Sequence, residues 1–396
     1  MRRLVSAVAL VFVVAVALAA CSDDGSDKVG DSRPGTSSTT APTTVAPPKA
    51  ADTIVLNGEG NNLSAYSGDD PFRKQVVITN AAEDPEHGLD INGQICFDPA
   101  DPQRFIAGED TNQDTTGHPG WGLFDLSGDE IGKLEAKQVA KLVPTYQASD
   151  DNPENYGCGF LPDGRVLTTD IGNQASGPGD GQLIVWFPPF SFDDNSYCKV
   201  DVELTTGQGI ALDDTSVYVA EARKPGVFRY PIASLPTGAD AAGGCGRLDA
   251  TGAPLADANG KQPFILPTPE NHLATPNAIV RDRKGHFFVS SVFNGVIAEF
   301  NSDGGFVRVV LEPPAGETLG AEPFSTGTPL GIGLDGDGNL YYADIGIVVG
   351  EGVGPGERTG TVRKIAFVDG EPQAPMVMDS GLAFPDGIGI YAAPTN

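Results

Sequence analysis

Amide and carboxylate side chains stand at the start of several similar strand-like segments. Asn277 follows a proline, Asp386 lies in a Pro-Asp-Gly sequence, and Gln208 begins a comparable segment. Asn92 and Asn155 lie one residue before the corresponding position in two further segments. Asn and Asp oxygens are hard ligands, and several of them around one point suit Ca²⁺. The sequence therefore predicts a site for Ca²⁺ or another divalent metal, if the fold brings these segments together. The alternative is that the side chains cap strand ends and turns.

A divalent ion at such a site could catalyse the hydrolysis of an ester or a lactone. It would polarise an ester or lactone carbonyl and lower the pKa of a bound water. Asp386 could then be ligand and general base together, acting on a water that the ion has already activated. His118 and His272 lie in segments that should open to the same site, and we predict His118 as a proton shuttle because histidine titrates near neutrality. The alternative is that both histidines are simply exposed on loops.

Other chemical patterns are absent or misleading. No GxSxG nucleophile motif occurs. Residues 331–336 fit GxGxxG, but a second strand follows them where a dinucleotide site needs a helix. Acids at the ends of the second strands are expected to be mostly solvated: Glu109, Asp110, Asp170, Glu221 and Asp344.

Six copies of one sequence pattern would position the candidate ligands. Each copy is an alternating strand, a turn that usually contains Asp-Gly, and a second strand rich in Tyr, Phe and Val. The copies begin at intervals of about 50 to 70 residues, which is typical of repeat folds. Four short strands fit each interval, so we predict an all-β fold, a six-bladed β-propeller. The starts are Gly93, Tyr156, Gln208, Asn277, Leu330 and Asp386.

The sixth copy has one strand before the chain ends. Residues 53–56 and 75–79 could supply its outer strands, so that shared N- and C-terminal strands close the ring and remove an exposed edge. The alternative is a pair of β-sandwiches.

The segments PNAIVRDRKG, PLGIGLDGDGNLYYAD and PDGIGI resemble the NHL-repeat and SMP-30/gluconolactonase/paraoxonase-like six-bladed propellers. The resemblance covers residues from about 90 to 391. It implies that Asn277 and Asp386 bind a catalytic divalent metal and that Asn155 is a third ligand. The Glu that this family has near the first inner strand is missing, and Asn92 would replace it. The same scaffold serves lactonases, other hydrolases and binding modules.

The N-terminus predicts export. Residues 1–20 have a positive start, an apolar run and a small-residue end, as a secretory signal does. The following Cys21 completes a sequence that resembles a lipobox, so we predict its lipidation; the alternative is a single-span membrane anchor. Residues 21–52 are poor in large apolar side chains and are predicted to be a disordered tether. Residues 53–396 would form the propeller.

The net charge and the cysteines limit which partners the protein can bind and in which compartment it can fold. The net charge of −28 argues against nucleic acid and anionic lipid head groups as partners. The spacings contain no CxxC, which argues against zinc, and an even number of cysteines remains for disulfides in an exported chain. Three pairings are possible. We predict Cys96 with Cys158, because both should lie on neighbouring inner strands, and Cys198 with Cys245.

These observations predict a monomeric, extracytoplasmic propeller that is anchored to the cell membrane only by its lipid. Its predicted activity is metal-dependent hydrolysis of small lactones or esters. The alternative is a non-catalytic propeller that binds a glycan, a peptide or a protein.

Overall fold

The computed structural model describes residues 52–58, 60–109, 120–134, 155–170, 181–192, 195–204, 207–238, 260–350 and 352–392. In these ranges the regular structure is almost entirely antiparallel β-sheet, with 3-10 turns at Ile232–Ser234 and Val292–Asn294. None of their helical segments has the length and apolar character needed to cross a membrane.

Six four-stranded sheets, here called blades 1 to 6, make up the fold. Blade 1 contains β4 (Ile91–Phe97), β5 (Arg104–Glu109), β6 (Gly120–Asp125) and β7 (Glu130–Leu134). Blade 2 contains β8 (Asn155–Phe160), β9 (Val166–Asp170), β10 (Gly181–Phe187) and β11 (Ser196–Leu204). Blade 3 contains β12 (Gly207–Leu212), β13 (Ser216–Glu221), β14 (Gly226–Pro231) and β15 (Gln262–Ile265).

The remaining blades follow the same plan. Blade 4 contains β16 (Pro276–Arg281), β17 (Phe287–Ser291), β18 (Val296–Phe300) and β19 (Phe306–Leu311). Blade 5 contains β20 (Pro329–Leu334), β21 (Leu340–Asp344), β24 (Gly360–Ile365) and β27 (Met376–Leu382). Its two inserted hairpins are β22 (Ile347–Val349) with β23 (Val353–Pro355), and β25 (Phe367–Val368) with β26 (Glu371–Pro372). Blade 6 contains β28 (Pro385–Ala392), β1 (Asp52–Gly58), β2 (Leu63–Ser67) and β3 (Lys74–Ile78).

The ring closes between the two ends of the described chain. Strand β1 pairs with β28 in a register that runs from Asp52 opposite Ala392 to Gly58 opposite Pro385. The inner strands contact one another in the order β4, β8, β12, β16, β20, β28 and back to β4, around a central channel. The predicted six-bladed β-propeller with a shared last blade is therefore confirmed. Strand β2, which completes blade 6, was not predicted.

Apolar packing lies between blades rather than in one central core. Each of the six blade-to-blade interfaces holds its own cluster of buried side chains. The interface of blades 5 and 6 buries Ile54, Tyr341 and Ile388, for example. Because both faces of a blade are covered, strand residues are buried on both sides of the sheet.

Aspartate turns join the inner strands to the second strands. Asp282 Oδ1 accepts the backbone N–H groups of Lys284 and His286 at 2.8 and 2.7 Å. Asp335 Oδ1 likewise accepts those of Asp337 and Asn339. These turns are the physical basis of the repeated Asp in the sequence pattern, since an Asx turn satisfies the backbone donors at a hairpin end.

The disulfide between Cys96 and Cys158 joins β4 to β8, with a Cα–Cα distance of 6.0 Å, which confirms that pairing. Cys198 is also disulfide-bonded. Its predicted partner Cys245 lies outside the described residues, so that pairing stays a prediction. The signal sequence, Cys21 and almost all of the tether also lie outside them.

Candidate functional site at the channel mouth

The candidate ligands gather at the end of the channel where the inner strands begin, here called the channel mouth. Strand registers place Tyr156, Gln208, Asn277, Leu330 and Asp386 at equivalent positions of blades 2 to 6. In blade 1 the register of β4 contains one further residue, so both Asn92 and Gly93 lie there. The predicted starts of the six copies therefore correspond to real, equivalent places in the fold.

Asn92 and Asn155 lie close together on blades 1 and 2. The side-chain oxygen of Asn92 fills the space where a Cβ on Gly108 would lie, and Asn155 Cβ is 3.1 Å from the same point. Asn155 Nδ2 donates to the carbonyl of Gly120 at 2.6 Å. The Oδ1 atoms of both asparagines are buried and accept no hydrogen bond from the residues that the structure describes. A buried acceptor without a donor is costly, unless something outside the protein supplies the missing interaction.

Asp386 joins this pair from the other side of blade 1. Its carboxylate accepts the backbone N–H of Gly93, the residue after Asn92, at 3.0 Å. The residue is 4% exposed. Three successive blades in the ring, 6, 1 and 2, therefore bring one carboxylate and two amide oxygens to the same side of the channel mouth.

Asn277 lies on blade 4, on the opposite side of the ring from blade 1. Its Oδ1 accepts the backbone N–H of Val292 at 3.3 Å, in the 3-10 turn that follows β17. The side chain thus accepts a hydrogen bond from the backbone of its own blade, as the capping alternative predicts. Its role as a metal ligand stays a prediction. The side chain of Gln208 lies outside the described residues.

Tyr156, the start of the second copy of the sequence pattern, is a neighbour of these groups that was not predicted as a site residue. It packs with Val292, Leu330, Ile345 and Ile347 in a separate apolar cluster. Its hydroxyl lies 3.5 Å from the backbone carbonyl of Asp386, towards which it donates. Burial, and then the negative charge of Asp386, raise the pKa of Tyr156 well above its usual value. An aromatic ring thus crosses the mouth from blade 2 towards blade 6.

Gln94 ties three inner strands together. Its Nε2 donates to the carbonyl of Ile210 at 3.1 Å, and its Oε1 accepts the N–H groups of Ile210 at 3.0 Å and of Cys158 at 3.3 Å. The sequence carried a signal for this role. The equivalent position is Gly or Ala in the other five copies, because the neighbouring blade approaches closely there, whereas the first copy has a long amide.

The acids at the ends of the second strands are buried, so the prediction that they are solvated was wrong. Glu109 is 8% exposed, Asp170 is 1% exposed, and Glu221 and Asp344 are fully buried. Glu109 pairs with Lys133 at 2.7 Å. Asp110 lies outside the described residues.

Asp344 is an example of a buried acid at the end of a second strand. Its Oδ1 accepts the backbone N–H groups of Thr328 and Gly346 at 2.7 and 2.9 Å. Its Oδ2 accepts from Thr361 Oγ1 at 2.8 Å and from Arg363 Nη2 at 3.0 Å. The carboxylate holds the segment that leads into the inner strand, which is a positioning role rather than a contact with substrate.

Of the two histidines predicted near the mouth, the structure describes His272. His118 lies outside the described residues, so its role as a proton shuttle stays a prediction. His272 is half-exposed, and its Nδ1 is 3.1 Å from Glu312 Oε2. Its backbone has a φ of 56°, in the left-handed region.

A divalent ion would need amide oxygens here. In the described residues no group of three or more His, Cys, Asp or Glu side chains could hold a metal. The set of Asp386, Asn92 and Asn155 nevertheless fits a hard cation, because it offers one carboxylate and two buried amide oxygens that have no donor among the described residues.

No protein-family profile matches the chain, and no curated protein matches it in sequence. Several solved structures superpose on it at low sequence identity. A chain in a nidogen/laminin complex superposes with a TM-score of 0.54 at 13% identity, over 86% of this chain and 98% of that one. A luciferin-regenerating enzyme gives 0.44 at 14% identity, over 86% of this chain and 96% of its own. A gluconolactonase from Xanthomonas campestris gives 0.44 at 15% identity, over 72% and 75%.

At this identity the similarity to the nidogen/laminin chain shows the fold alone. The protein is a six-bladed β-propeller, and its function has to be argued from the channel mouth.

Proposed function

We propose that the protein is a divalent-cation-dependent hydrolase of small lactones or esters, with its site at the channel mouth. The observation that carries the proposal is the pair of buried Oδ1 atoms of Asn92 and Asn155, which accept no hydrogen bond from the described part of the chain and lie beside Asp386. Native proteins rarely leave buried acceptors without donors. A bound cation would satisfy both oxygens.

The three side chains would have different tasks. Asp386 would supply the negative charge, and the N–H of Gly93 would hold its carboxylate in place. Asn155 is oriented by donating to Gly120, which leaves its oxygen as the ligand atom. Asn92 would replace the acidic ligand of the resembled family with a neutral oxygen, so we expect a weaker site than one with two carboxylates.

When bound, a divalent cation polarises a carbonyl and makes a bound water more acidic. The protein itself would contribute the shape and polarity of the surroundings of the cation. Tyr156 and Leu330 provide apolar surface beside Asp386, which favours a compact, uncharged substrate and excludes water from its apolar part. The high pKa of Tyr156 keeps its hydroxyl protonated, so that it acts as a donor at neutral pH.

A second candidate is a non-catalytic binding propeller. The observation that favours it is the occupation of the equivalent mouth positions by Tyr156 and Leu330, together with the turning of Asn277 towards its own blade. In that case the mouth would present an aromatic and aliphatic surface to a glycan or peptide, and the amide oxygens would pair with that ligand.

Calcium titration of the purified protein by calorimetry tests the first proposal against the second. We expect saturable binding that is lost in Asn155→Ala and Asp386→Asn. Asn277→Ala is the matched control: the proposed ligand set leaves Asn277 out because its Oδ1 already accepts the N–H of Val292, so this variant should leave binding unchanged. Lactone hydrolysis, followed in parallel, should depend on the same two variants.

Two results would decide against the hydrolase. Folded protein that binds no Ca²⁺, Mg²⁺ or Mn²⁺ leaves only the binding propeller. Cation binding that is lost in Asn277→Ala but kept in Asn155→Ala would show that Asn277, and not Asn155, is a ligand. The anchor at Cys21 is a separate proposal, and mass spectrometry of the membrane-extracted protein would find or exclude its acyl groups.

A further inference from the structure

Three polar side chains form a row across blade 2 at the channel mouth: Asn155, Asp170 and Gln182. Asn155 on β8 lies opposite Asp170 on β9, and Asp170 lies opposite Gln182 on β10. Residues that are directly opposite in an antiparallel pair share a face, with Cβ atoms about 4.5–5.5 Å apart. The exposed fractions are 5%, 1% and 5%. The row is therefore a buried polar strip on one face of the blade.

This strip faces blade 1, where Asn92 lies. Asn155 donates to the carbonyl of Gly120 of that blade, and its Cβ lies close to the oxygen of Asn92. Side chains two residues apart on a strand point to the same face. Ile184, two residues after Gln182, packs in the interface of blades 1 and 2. The strip and the oxygen of Asn92 thus belong to the same interface.

The amide oxygens of this strip need a positive partner. Gln182 Oε1, like Asn155 Oδ1, is buried and accepts no hydrogen bond within the described ranges. The two residues lie on either side of Asp170, whose carboxylate when ionised only accepts hydrogen bonds. Buried acceptors grouped in this way are costly unless a donor or a cation lies among them.

Blade 5 shows how the protein treats the equivalent acid elsewhere. Asp344 lies opposite Thr361, and it accepts hydrogen bonds from the Thr361 hydroxyl and the Arg363 guanidinium. The positions of Thr361 and Arg363 are taken in blade 2 by Gln182 and Ile184. The hydroxyl and the positive charge that hold Asp344 are therefore not repeated at these two positions of blade 2.

We propose that Asp170 and Gln182 complete the ligand set of the cation at the channel mouth, with Asp170 as its second carboxylate. This inference rests on the proposed function, because it concerns the same cation. Ca²⁺ takes six to eight oxygen ligands. The five side chains would leave room for a water or for the carbonyl oxygen of a substrate: Asp386, Asn92, Asn155, Asp170 and Gln182. Two carboxylates would balance the charge of the ion and offset the loss expected from the neutral Asn92.

The alternative is a structural pair. In that case the Gln182 amide is turned so that its N–H group donates to Asp170, and both residues stabilise blade 2 without contact with the cation. A structural pair affects the free energy of unfolding but not the affinity for the ion.

Calcium titration of the full protein by calorimetry distinguishes the two. We expect Asp170→Asn and Gln182→Leu each to weaken binding by about tenfold or more, because each removes a ligand oxygen or its charge. Gln182→Glu should tighten binding, since it adds a carboxylate to the set. A structural pair predicts no such gain. If Asp170→Asn does not fold, the two Gln182 variants decide.

Asp344→Asn is the matched control. It neutralises the equivalent, equally buried acid of blade 5, so it should lower the free energy of unfolding and leave the calcium affinity unchanged. Wild-type protein that binds no cation removes the proposed function and this inference together. Binding that is lost in Asp386→Asn but unchanged in Asp170→Asn and in both Gln182 variants overturns this inference alone. Two cations per protein, one lost with each aspartate, would also overturn the single ligand set.

Discussion

Replacement of Gln94 by leucine should destabilise the propeller measurably. The side chain makes three hydrogen bonds, of 3.0 to 3.3 Å, to the backbone of β8 and β12. Leucine is similar in size but makes none of them. At about 0.5–1.5 kcal/mol of net stability for each hydrogen bond, the loss should be about 3 kcal/mol. Unfolding in guanidinium chloride, followed by the fluorescence of the buried Trp121 and Trp186, measures it.

Two further variants make this prediction specific. Gln103→Leu removes one hydrogen bond at the molecular edge, to Tyr391, and should cost less than about 1 kcal/mol. Gln94→Glu keeps two acceptor bonds but sets a carboxylate against the Ile210 carbonyl. Its deficit should shrink as acid protonates the carboxylate and restores a donor. If Gln94→Leu is as stable as Gln103→Leu, the inner strands do not depend on this amide.

Two more predictions concern the blade-to-blade interfaces. Replacing Cys96 and Cys158 together by alanine should lower the free energy of unfolding by about 4 kcal/mol, because the bridge spans 62 residues of the unfolded chain; an unchanged denaturation midpoint would contradict this. Asp379 joins blade 5 to blade 6: burial raises its pKa, but the hydrogen bonds from Lys74 and Tyr66 outweigh burial and lower it overall. Its contribution, about 1 kcal/mol, should be present above the unfolded pKa of about 3.9 and be lost as the pH falls through the lower folded value. Asp379→Asn should therefore be less stable than the wild type at pH 7 and approach it at pH 2, and a gap that stays constant with pH would refute the assignment.

The sequence was sufficient for the fold because the repeated pattern carries its own geometry. The aspartates of the hairpin turns and the small residues of the inner strands recur for local reasons, such as backbone donors at a turn and the close approach of the next blade. Gly331 illustrates the second reason, since a Cβ there would lie 3.0 Å from the Cα of Gly387. Such requirements can be recognised without knowing which blades are neighbours.

The details of the mouth could not be predicted in the same way. The direction of the Asn277 oxygen depends on the 3-10 turn at Val292, which lies 15 residues further along the chain, beyond the next strand. The burial of Asp344 depends on Arg363, which comes from a different strand of the blade after two inserted strands. Gln94 could have been found, because it breaks the small-residue pattern at its position in the repeat.

The pairing of β1 with β28 determines when the ring of blades can close during folding. The first strand of the ring is synthesised more than 300 residues before the strand on which it rests. Until the last segment arrives, blades 1 to 5 form an open arc with an unsatisfied edge, and long-range pairing of this kind is slow to form. Deletion of the final strand would leave that arc permanently open and prone to association through its edges. Assembly of the whole domain thus waits for the strand Pro385–Ala392.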